Sequence, residues 1–438
     1  MLVKAFAGQR RSDPRMPRAR DERPDRATAT RRKAPPLEHR ILTTATLCLI
    51  AFGAVMVYSA SSPIGTVNGG GFGTGEFMTY LMAVALGLVA MRVLERHGLQ
   101  IVSPRITRLF LLGSFGLLVA VLLPGIGREV GGARRWIGAG PLALQPSELV
   151  KLALVLYVAR YLAEHPSRMG GFRQAIAPVA IVVAPACVLI YREPDLGTML
   201  VVGMTVAAML FAAGMPLRYL AGIVAAVGFV VLLLVMASPY ERARLTSFLN
   251  PWAHWAQGGY QAVQGQVALG SGGLFGVGLG RSLQKIYYLP AAQTDFILAV
   301  VGEELGLMGI TGVVVLYGLI AYAGLRTARR AGTRYAKLLA TGLTSLILCQ
   351  GILNIFVVLG LAPLTGVPLP FISYAPTNLI AMLASVGLLL NIARPGAQRL
   401  RAIDGHRAGR ERPADRDRCG RDGGARGAGS GGRRRAAS

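Results

Sequence analysis

The residues best suited to chemistry are a few acidic side chains in an otherwise apolar chain. Of the 21 Asp and Glu residues, eleven lie between positions 41 and 393. Asp295 follows Thr294 immediately before a long apolar segment, so its carboxylate is placed either to stabilise the positive end of a helix or to act as a general base. Spacing alone favours the helix-end interpretation.

Charged residues near position 140 form a second candidate group. Glu148 and Lys151 are three residues apart in a predicted helix, so they share one face and are suited to an internal ion pair. Arg134 and Arg135 lie just upstream. The alternative is that all four charges hold a pyrophosphate, for which arginine offers bidentate geometry.

Further acids lie at two other points along the chain. Glu193 and Asp195 flank a proline in a tight turn, where Asp195 is placed to cap the next helix. Glu303 and Glu304 lie about two turns inside an apolar segment, where structural pairing and a functional polar pocket are equally compatible with the pattern. The glycine-rich run 270–280 lacks a phosphate-loop lysine, so close helix packing is the favoured explanation.

The elements that carry these residues are membrane helices. Hydrophobic residues make up 53% of the 438-residue chain and charged residues 16%, and the apolar blocks are long enough to cross a hydrocarbon core of about 30 Å. The expected fold is an all-α polytopic membrane protein with ten transmembrane helices. The predicted spans are 41–60, 78–92, 107–123, 147–163, 174–191, 196–214, 218–237, 296–323, 338–361 and 378–393.

The distribution of basic residues predicts the orientation. An even number of spans places both ends on one side, and the positive-inside rule assigns that side to the cytoplasm. Predicted cytoplasmic loops such as 92–108 and 326–337 are basic, whereas the outer loops 61–77 and 362–377 have no Lys or Arg. Arginines and a lysine after spans 3 and 5 and in the long outer segment 238–295 are exceptions that require a specific reason.

The three regions outside the spans differ in character. Segment 238–295 is too apolar for a linker, and its residues 260–267 follow a helical spacing typical of a short amphipathic helix at the membrane surface. The end regions 1–40 and 395–438 are rich in Arg, Gly, Pro and Ala and are expected to be disordered in the cytoplasm. They account for much of the net charge of +26, which therefore indicates topology and contact with anionic membrane lipids, not nucleic-acid binding.

Several ordered motifs between residues 41 and 394 resemble the SEDS (shape, elongation, division, sporulation) family, and the division and sporulation types more than the elongation type. The motifs are GARRWI at 132–137, QPSELVK at 145–151, REPDLGT at 192–198, the glycine run 270–280, TDFI at 294–297, GEELG at 302–306 and PLPFISY at 368–374.

The resemblance implies a glycosyltransferase that polymerises lipid II into peptidoglycan, with inversion at the anomeric carbon. It implies that Asp295 is the general base, that Glu148 and Lys151 are charged cavity residues, and that Arg134 and Arg135 donate to the pyrophosphate. Lipid II, a class B penicillin-binding transpeptidase and other division proteins are the implied partners, at the septum in the bacterial inner membrane. A divalent cation, magnesium or manganese, is compatible with this chemistry, although the sequence shows no ligand pattern for it. Glu193, Gln293, Ser373 and Tyr374 lie in the matching motifs and complete the substrate-binding candidates.

The chain departs from the family pattern at two places. Ala291 and Gln293 stand where the family usually has Glu and His, and Ala375 and Pro376 stand where it usually has two glycines. The second change removes backbone freedom and one N–H. Two other functions therefore stay open on the sequence: a flippase for lipid II and a non-catalytic scaffold of the division complex.

Overall fold

The protein is a bundle of long helices with one small β-hairpin. The structure, a computed structural model, describes residues 36–67, 74–130, 133–138, 143–166, 172–253, 259–286 and 288–394. The end regions predicted to be disordered fall almost entirely outside these residues. The helices are α1 (Leu37–Val67), α2 (Thr74–Ile101), α3 (Pro104–Leu122), α4 (Pro146–Glu164), α5 (Phe172–Arg192), α6 (Leu196–Ala212), α7 (Leu217–Ala237), α8 (Pro239–Leu249), α9 (Tyr260–Gly272), α10 (Ile297–Arg330), α11 (Arg334–Val358) and α12 (Pro376–Ala393).

Each of the ten predicted spans coincides with one of these helices. In the described part of the chain, seven helices are long and apolar enough to cross a membrane: α1, α2, α3, α7, α10, α11 and α12. Helices α5 and α6 contribute shorter apolar stretches, and α4 carries four charged residues. The polytopic helical fold is therefore confirmed, while the count of ten stays a prediction.

The hairpin and one helix were not predicted. Strands β1 (Gly127–Val130) and β2 (Ala133–Ile137) form an antiparallel hairpin between α3 and α4. The long segment 238–295 contains two helices, the unpredicted α8 and the predicted α9. Helix α9 packs against the start of α10, where Gly265 lies so close to the Phe296 ring that an added Cβ would be 2.5 Å from it.

The glycine run 270–280 packs against α10 and forms backbone hydrogen bonds with it. At Gly306 the α10 backbone leaves the helical conformation (φ 66°, ψ −161°), so nearby carbonyls and N–H groups lose their helical partners. The glycine segment replaces them: Val277 N–H donates to the Glu303 carbonyl at 2.9 Å and Leu307 N–H donates to the Gly273 carbonyl at 3.0 Å. The close-packing explanation holds for Gly272 and Gly276, where an added Cβ would overlap the α10 backbone, but not for Gly270, Gly273 or Gly280, where a Cβ would meet nothing within 4 Å.

Helices α2 and α12 pack closely against each other. Glycines on both allow the approach: a Cβ added at Gly387 would lie 2.5 Å from the Met91 carbonyl oxygen, and one at Gly87 would lie 2.5 Å from Leu383. Helix α12 is mostly buried, whereas α7 buries none of its side chains within the described residues. The core thus centres on α12 and α11, and α7 lies at the edge.

Candidate functional site

Four sequence motifs meet at one end of the bundle. The Gln145 side chain donates to Asp195 at 3.5 Å, and the Gln145 backbone N–H donates to the Thr377 hydroxyl at 3.2 Å. Gly197 packs against the backbone and side chain of Thr365. These contacts join the QPSELVK and REPDLGT motifs to the chain around residues 365–377, and Asp295 lies beside that same segment.

Asp295 lies just before α10, at the end opposite Arg329 and Arg330. Its side chain is partly exposed, and its carboxylate accepts a hydrogen bond from the Thr294 hydroxyl at 3.1 Å. The N-cap position of α10 is Phe296, which makes no side-chain capping bond. Asp295 therefore lies one residue before the N-cap, and its side chain does not cap α10.

The backbone and electrostatic surroundings of Asp295 are set by distant residues. Asn354 on α11 donates to the Asp295 carbonyl at 2.7 Å and to the Val367 carbonyl at 2.8 Å. Burial raises the pKa of the Asp295 carboxyl above its ordinary value. Hydrogen bonds from its own backbone N–H and from the Thr294 hydroxyl, and then the positive charges of Arg244 and Arg135, partly offset that rise. A raised pKa makes the carboxylate a stronger proton acceptor.

The two arginines of the hairpin have different environments. Arg135 is held by the turn before α6, since its Nε donates to the Glu193 carbonyl at 2.8 Å and its Nη2 donates to the Pro194 carbonyl. Arg134 is about half exposed and pairs with the equally exposed Glu129 at 3.4 Å. Arg135 therefore positions the turn and contributes charge, whereas Arg134 presents its guanidinium to solvent.

The two acids of the turn also differ. Asp195 caps α6 as predicted, because its carboxylate accepts from the Thr198 N–H at 3.0 Å and from the Thr198 hydroxyl at 2.8 Å. Glu193 is completely buried, and neither carboxylate oxygen has a hydrogen-bond partner among the described residues. Burial, and secondarily the charge of Asp195, raises the pKa of Glu193 to about 8.

Glu148 and Lys151 form the predicted internal ion pair. Lys151 Nζ lies 2.8 Å from Glu148 Oε2, and both side chains are fully buried. Lys151 also donates to Gln350 on α11 at 2.7 Å, and Asn378 on α12 donates to Glu148 at 2.6 Å. The pair thus joins α4, α11 and α12 beneath the site, and the structure does not bring it into one exposed cluster with Arg134.

The remaining substrate-binding candidates belong to two adjoining segments. The Ser373 hydroxyl is buried and accepts from the Leu369 N–H at 2.8 Å, so it stabilises its own turn. The Tyr374 N–H donates to the Gln293 carbonyl at 2.9 Å, and the side chains of Gln293 and Tyr374 are partly exposed. Of these three residues, Gln293 and Tyr374 are therefore the accessible ones.

Glu303 and Glu304 of α10 bind the residues that follow the glycine-rich segment 270–280. Glu303 accepts from the Ser282 hydroxyl and from the Leu283 N–H, the latter at 3.0 Å. Glu304 forms a buried ion pair with Lys285 at 2.8 Å. The structural-pairing explanation is confirmed, and it also accounts for Lys285, one of the basic residues predicted on the outer side.

Sequence reasoning missed several residues of this region. Gln350 and Asn354 are four residues apart on the apolar helix α11, and amides in such a segment are a signal for interior contacts. Arg244 is one of the basic residues of the outer segment that required a reason, but the helix that carries it, α8, was not predicted. Glu76 is one of the eleven acids, but no local pattern connects it to Gln293, whose Nε2 donates to it at 3.3 Å.

A family model and several named proteins match most of this chain in sequence. The model of the FtsW, RodA and SpoVE family, described as cell cycle protein, matches residues 39–398. Stage V sporulation protein E of Bacillus subtilis is 39% identical over 369 residues, which are 83% of this chain and 98% of the relative. The probable peptidoglycan glycosyltransferase FtsW of Coxiella burnetii is 42% identical over 356 residues, which are 80% of this chain and 94% of the relative.

Solved structures agree with this match. A structure described as structural coordination of polymerization and crosslinking by a peptidoglycan synthase complex aligns with a TM-score of 0.65 and 30% identity, over 80% of this chain and 96% of that chain. RodA of Thermus thermophilus aligns with a TM-score of 0.56 and 28% identity, over 80% and 95% of the two chains. Since sequence and fold agree over the whole helical region, the chain belongs to the FtsW, RodA and SpoVE family of cell cycle proteins.

Proposed function

We propose that this membrane protein is a peptidoglycan glycosyltransferase that polymerises lipid II for septal wall synthesis. Membership of the family supports this proposal, as do relatives named peptidoglycan glycosyltransferase. The observation that carries it is the position of Asp295, whose side chain does not cap α10 and which lies where the family motifs meet.

Asp295 acts as the general base. The 4-hydroxyl oxygen of one disaccharide forms a bond to the anomeric carbon of another, and its proton passes to the Asp295 carboxylate. The bond from the anomeric carbon to the pyrophosphate oxygen breaks, and undecaprenyl pyrophosphate leaves with the bonding electrons. Attack opposite the leaving group inverts the anomeric carbon.

The charged residues around the base take separate roles. Arg134 binds the pyrophosphate, since its guanidinium is about half exposed and pairs with an exposed Glu129. Arg135 stabilises the developing negative charge at longer range while holding the turn at Glu193 and Pro194. Glu148 and Lys151 act from beneath the site by fixing α12 relative to α4.

A divalent cation would need ligands from outside the protein. Within the described part of the chain, no group of three His, Cys, Asp or Glu side chains is arranged to hold a metal ion. These residues do not by themselves fit a cation site, so a magnesium or manganese ion would take most of its oxygens from the lipid pyrophosphate and water.

A crosslinking partner completes the proposed activity. A structural neighbour is described in terms of a synthase complex that coordinates polymerization with crosslinking. By analogy, the partner of this chain is a class B penicillin-binding transpeptidase, with other division proteins at the septum.

The test is polymerisation of purified lipid II by the full chain together with its transpeptidase partner. Asp295→Asn keeps the shape of the side chain but removes its basicity, so we expect glycan chains to disappear, a loss of at least about a hundredfold. Glu164→Gln, an exposed carboxylate at the far end of α4, is the matched control and should keep its activity. Persistent chains in Asp295→Asn contradict the assigned base. If the protein transports lipid II across vesicle membranes but makes no glycan chains, the result supports a flippase. If it does neither, the result supports a scaffold.

A further inference from the structure

The first turns of α2 hold both segments that border Asp295. Glu76 accepts a hydrogen bond from the Gln293 side chain at 3.3 Å. Thr79, three residues further on and on the same face of α2, lies beside the Tyr374 side chain. One helix end thus contacts the chain on both sides of the site.

The two segments are also joined to each other. The Tyr374 N–H donates to the Gln293 carbonyl at 2.9 Å, so the segment that Glu76 holds is bonded to the segment that lies beside Thr79. Gln293 is two residues from Asp295. A displacement of Gln293 is therefore transmitted to the Asp295 carboxylate through one intervening residue.

Helix α2 is itself firmly placed. Its buried Tyr80 donates to the Phe371 carbonyl at 2.8 Å, which gives α2 another contact with the PLPFISY segment. The same helix packs along α12 through glycine contacts at Gly87 and Gly98. The end of α2 is therefore a rigid support.

The backbone of Asp295 is consequently held from two directions. Asn354 of α11 holds its carbonyl at 2.7 Å, and Glu76 of α2 holds Gln293 on the other side. A misplacement of the reacting groups by about 1 Å can cost about a hundredfold in rate.

We propose that Glu76 and Thr79 are positioning residues for the general base. They hold the Gln293 and Tyr374 segments in register so that the Asp295 carboxylate faces the acceptor hydroxyl, and they do not contact the reacting atoms. This inference rests on the proposed glycosyl transfer.

The test measures kcat and KM for lipid II polymerisation by the full chain with its partner. We expect Glu76→Ala and Thr79→Val to lower kcat about tenfold or more with KM changed less than about twofold, as for loss of transition-state geometry. Glu76→Gln keeps an acceptor oxygen for Gln293, so it should restore most of the activity.

Matched controls and a double-mutant cycle separate positioning from general damage. Glu164→Ala removes an exposed carboxylate, and Thr311→Val removes the same hydroxyl-to-helix-carbonyl bond that Thr79 makes, both away from the site. Because Glu76 and Gln293 act through one contact, Glu76→Ala with Gln293→Ala should lose no more kcat than either single variant. Thermal unfolding of each variant reports folding, and Gln293→Ala replaces Glu76→Ala if the latter does not fold.

Three results would overturn the inference. They are an unchanged kcat in Glu76→Ala and Thr79→Val, fully additive losses in the double variant, or a rise in KM at constant kcat, which would mean substrate contact. Asp295→Asn in the same assay distinguishes the two proposals: if it stays active the general base is wrong, whereas an inactive Asp295→Asn beside a fully active Glu76→Ala rejects only the positioning role.

Discussion

Glu193 and Asp195 show how two carboxylates two residues apart acquire different chemistry. The Asp195 carboxylate accepts two hydrogen bonds from Thr198 in the first turn of α6. Glu193 is buried, and neither of its carboxylate oxygens has a partner among the described residues. A buried, unpaired carboxylate favours its neutral form. Arg135 lies close by but donates to backbone carbonyls of the turn, so it only partly offsets this effect.

Glu193 should therefore make stability depend on pH. Its pKa in the folded protein, about 8, lies above the ordinary value of 4.5, so folding favours the protonated group. The contribution of Glu193 to the free energy of unfolding is therefore fully present below about pH 4.5 and is lost as the pH rises through 8. We expect the unfolding temperature in detergent to fall between pH 5 and 8.5 less steeply for Glu193→Gln than for the parent protein.

Glu164→Gln is the control for this experiment, because the Glu164 side chain is 58% exposed. Its unfolding temperature should follow that of the parent at each pH. Equal slopes for Glu193→Gln and the parent would show that Glu193 is already ionised in the folded state at neutral pH.

At the scale of elements, α10 and the glycine-rich segment act as one unit. The helix is interrupted at Gly306, and the segment supplies the missing hydrogen bonds through residues such as Gly273 and Val277. Glu303 and Glu304 reinforce the junction with Ser282 and Lys285. The interruption therefore leaves these polar groups satisfied and fixes the loop that precedes Asp295.

This junction predicts different effects for two glycines with the same backbone conformation. Gly276 and Gly280 have φ of 79° and 80°, but a Cβ at Gly276 would overlap the Glu304 carbonyl, whereas one at Gly280 meets nothing within 4 Å. Gly280→Ala should cost about 1 kcal/mol from backbone strain alone, and Gly276→Ala about 3 kcal/mol from added steric overlap. Unfolding in detergent measures both, and equal losses would contradict the described junction.

For the whole molecule, ionic contacts mark the end opposite the site. Glu38 pairs with Arg326 at 2.6 Å and with Arg330 at 2.5 Å, and Glu95 pairs with His39 at 2.9 Å and with Arg394 at 2.5 Å. These clusters join the ends of α1, α2, α10 and α12. They are the basic side predicted to be cytoplasmic, and Asp295 lies at the other end of α10.

The orientation predicts which introduced cysteines react from outside the cell. In a variant without native cysteines, a membrane-impermeant maleimide should label Arg281→Cys in intact spheroplasts. Gly332→Cys, in the turn between α10 and α11, should react only after permeabilisation. Labelling of Gly332→Cys in intact spheroplasts would reverse the orientation and place Asp295 on the cytoplasmic side, which would exclude the proposed reaction.

The helices were largely predictable, and the site was predictable only in part. Apolar length and composition depend on residues close together in the chain, so all ten apolar segments were located, as were the cap at Asp195 and the pair of Glu148 with Lys151. Two predictions failed for local reasons. The predicted span 78–92 was shorter than α2 because α2 extends into polar residues at its ends, and α8 was not predicted because it carries charged residues that a membrane span lacks.

By itself, the sequence determined the helical membrane fold, the family motifs and the acids worth testing, because periodicity, hydropathy and motif spacing are local properties. Tertiary structure alone decided which partners those residues have: Glu76 meets Gln293 across 217 positions, Arg135 holds carbonyls across 58, and Lys151 reaches Gln350 across 199. The physical reason is that hydropathy is the same for every rotation and depth of an apolar helix. Packing sets the rotation and depth, and these bring distant polar groups together.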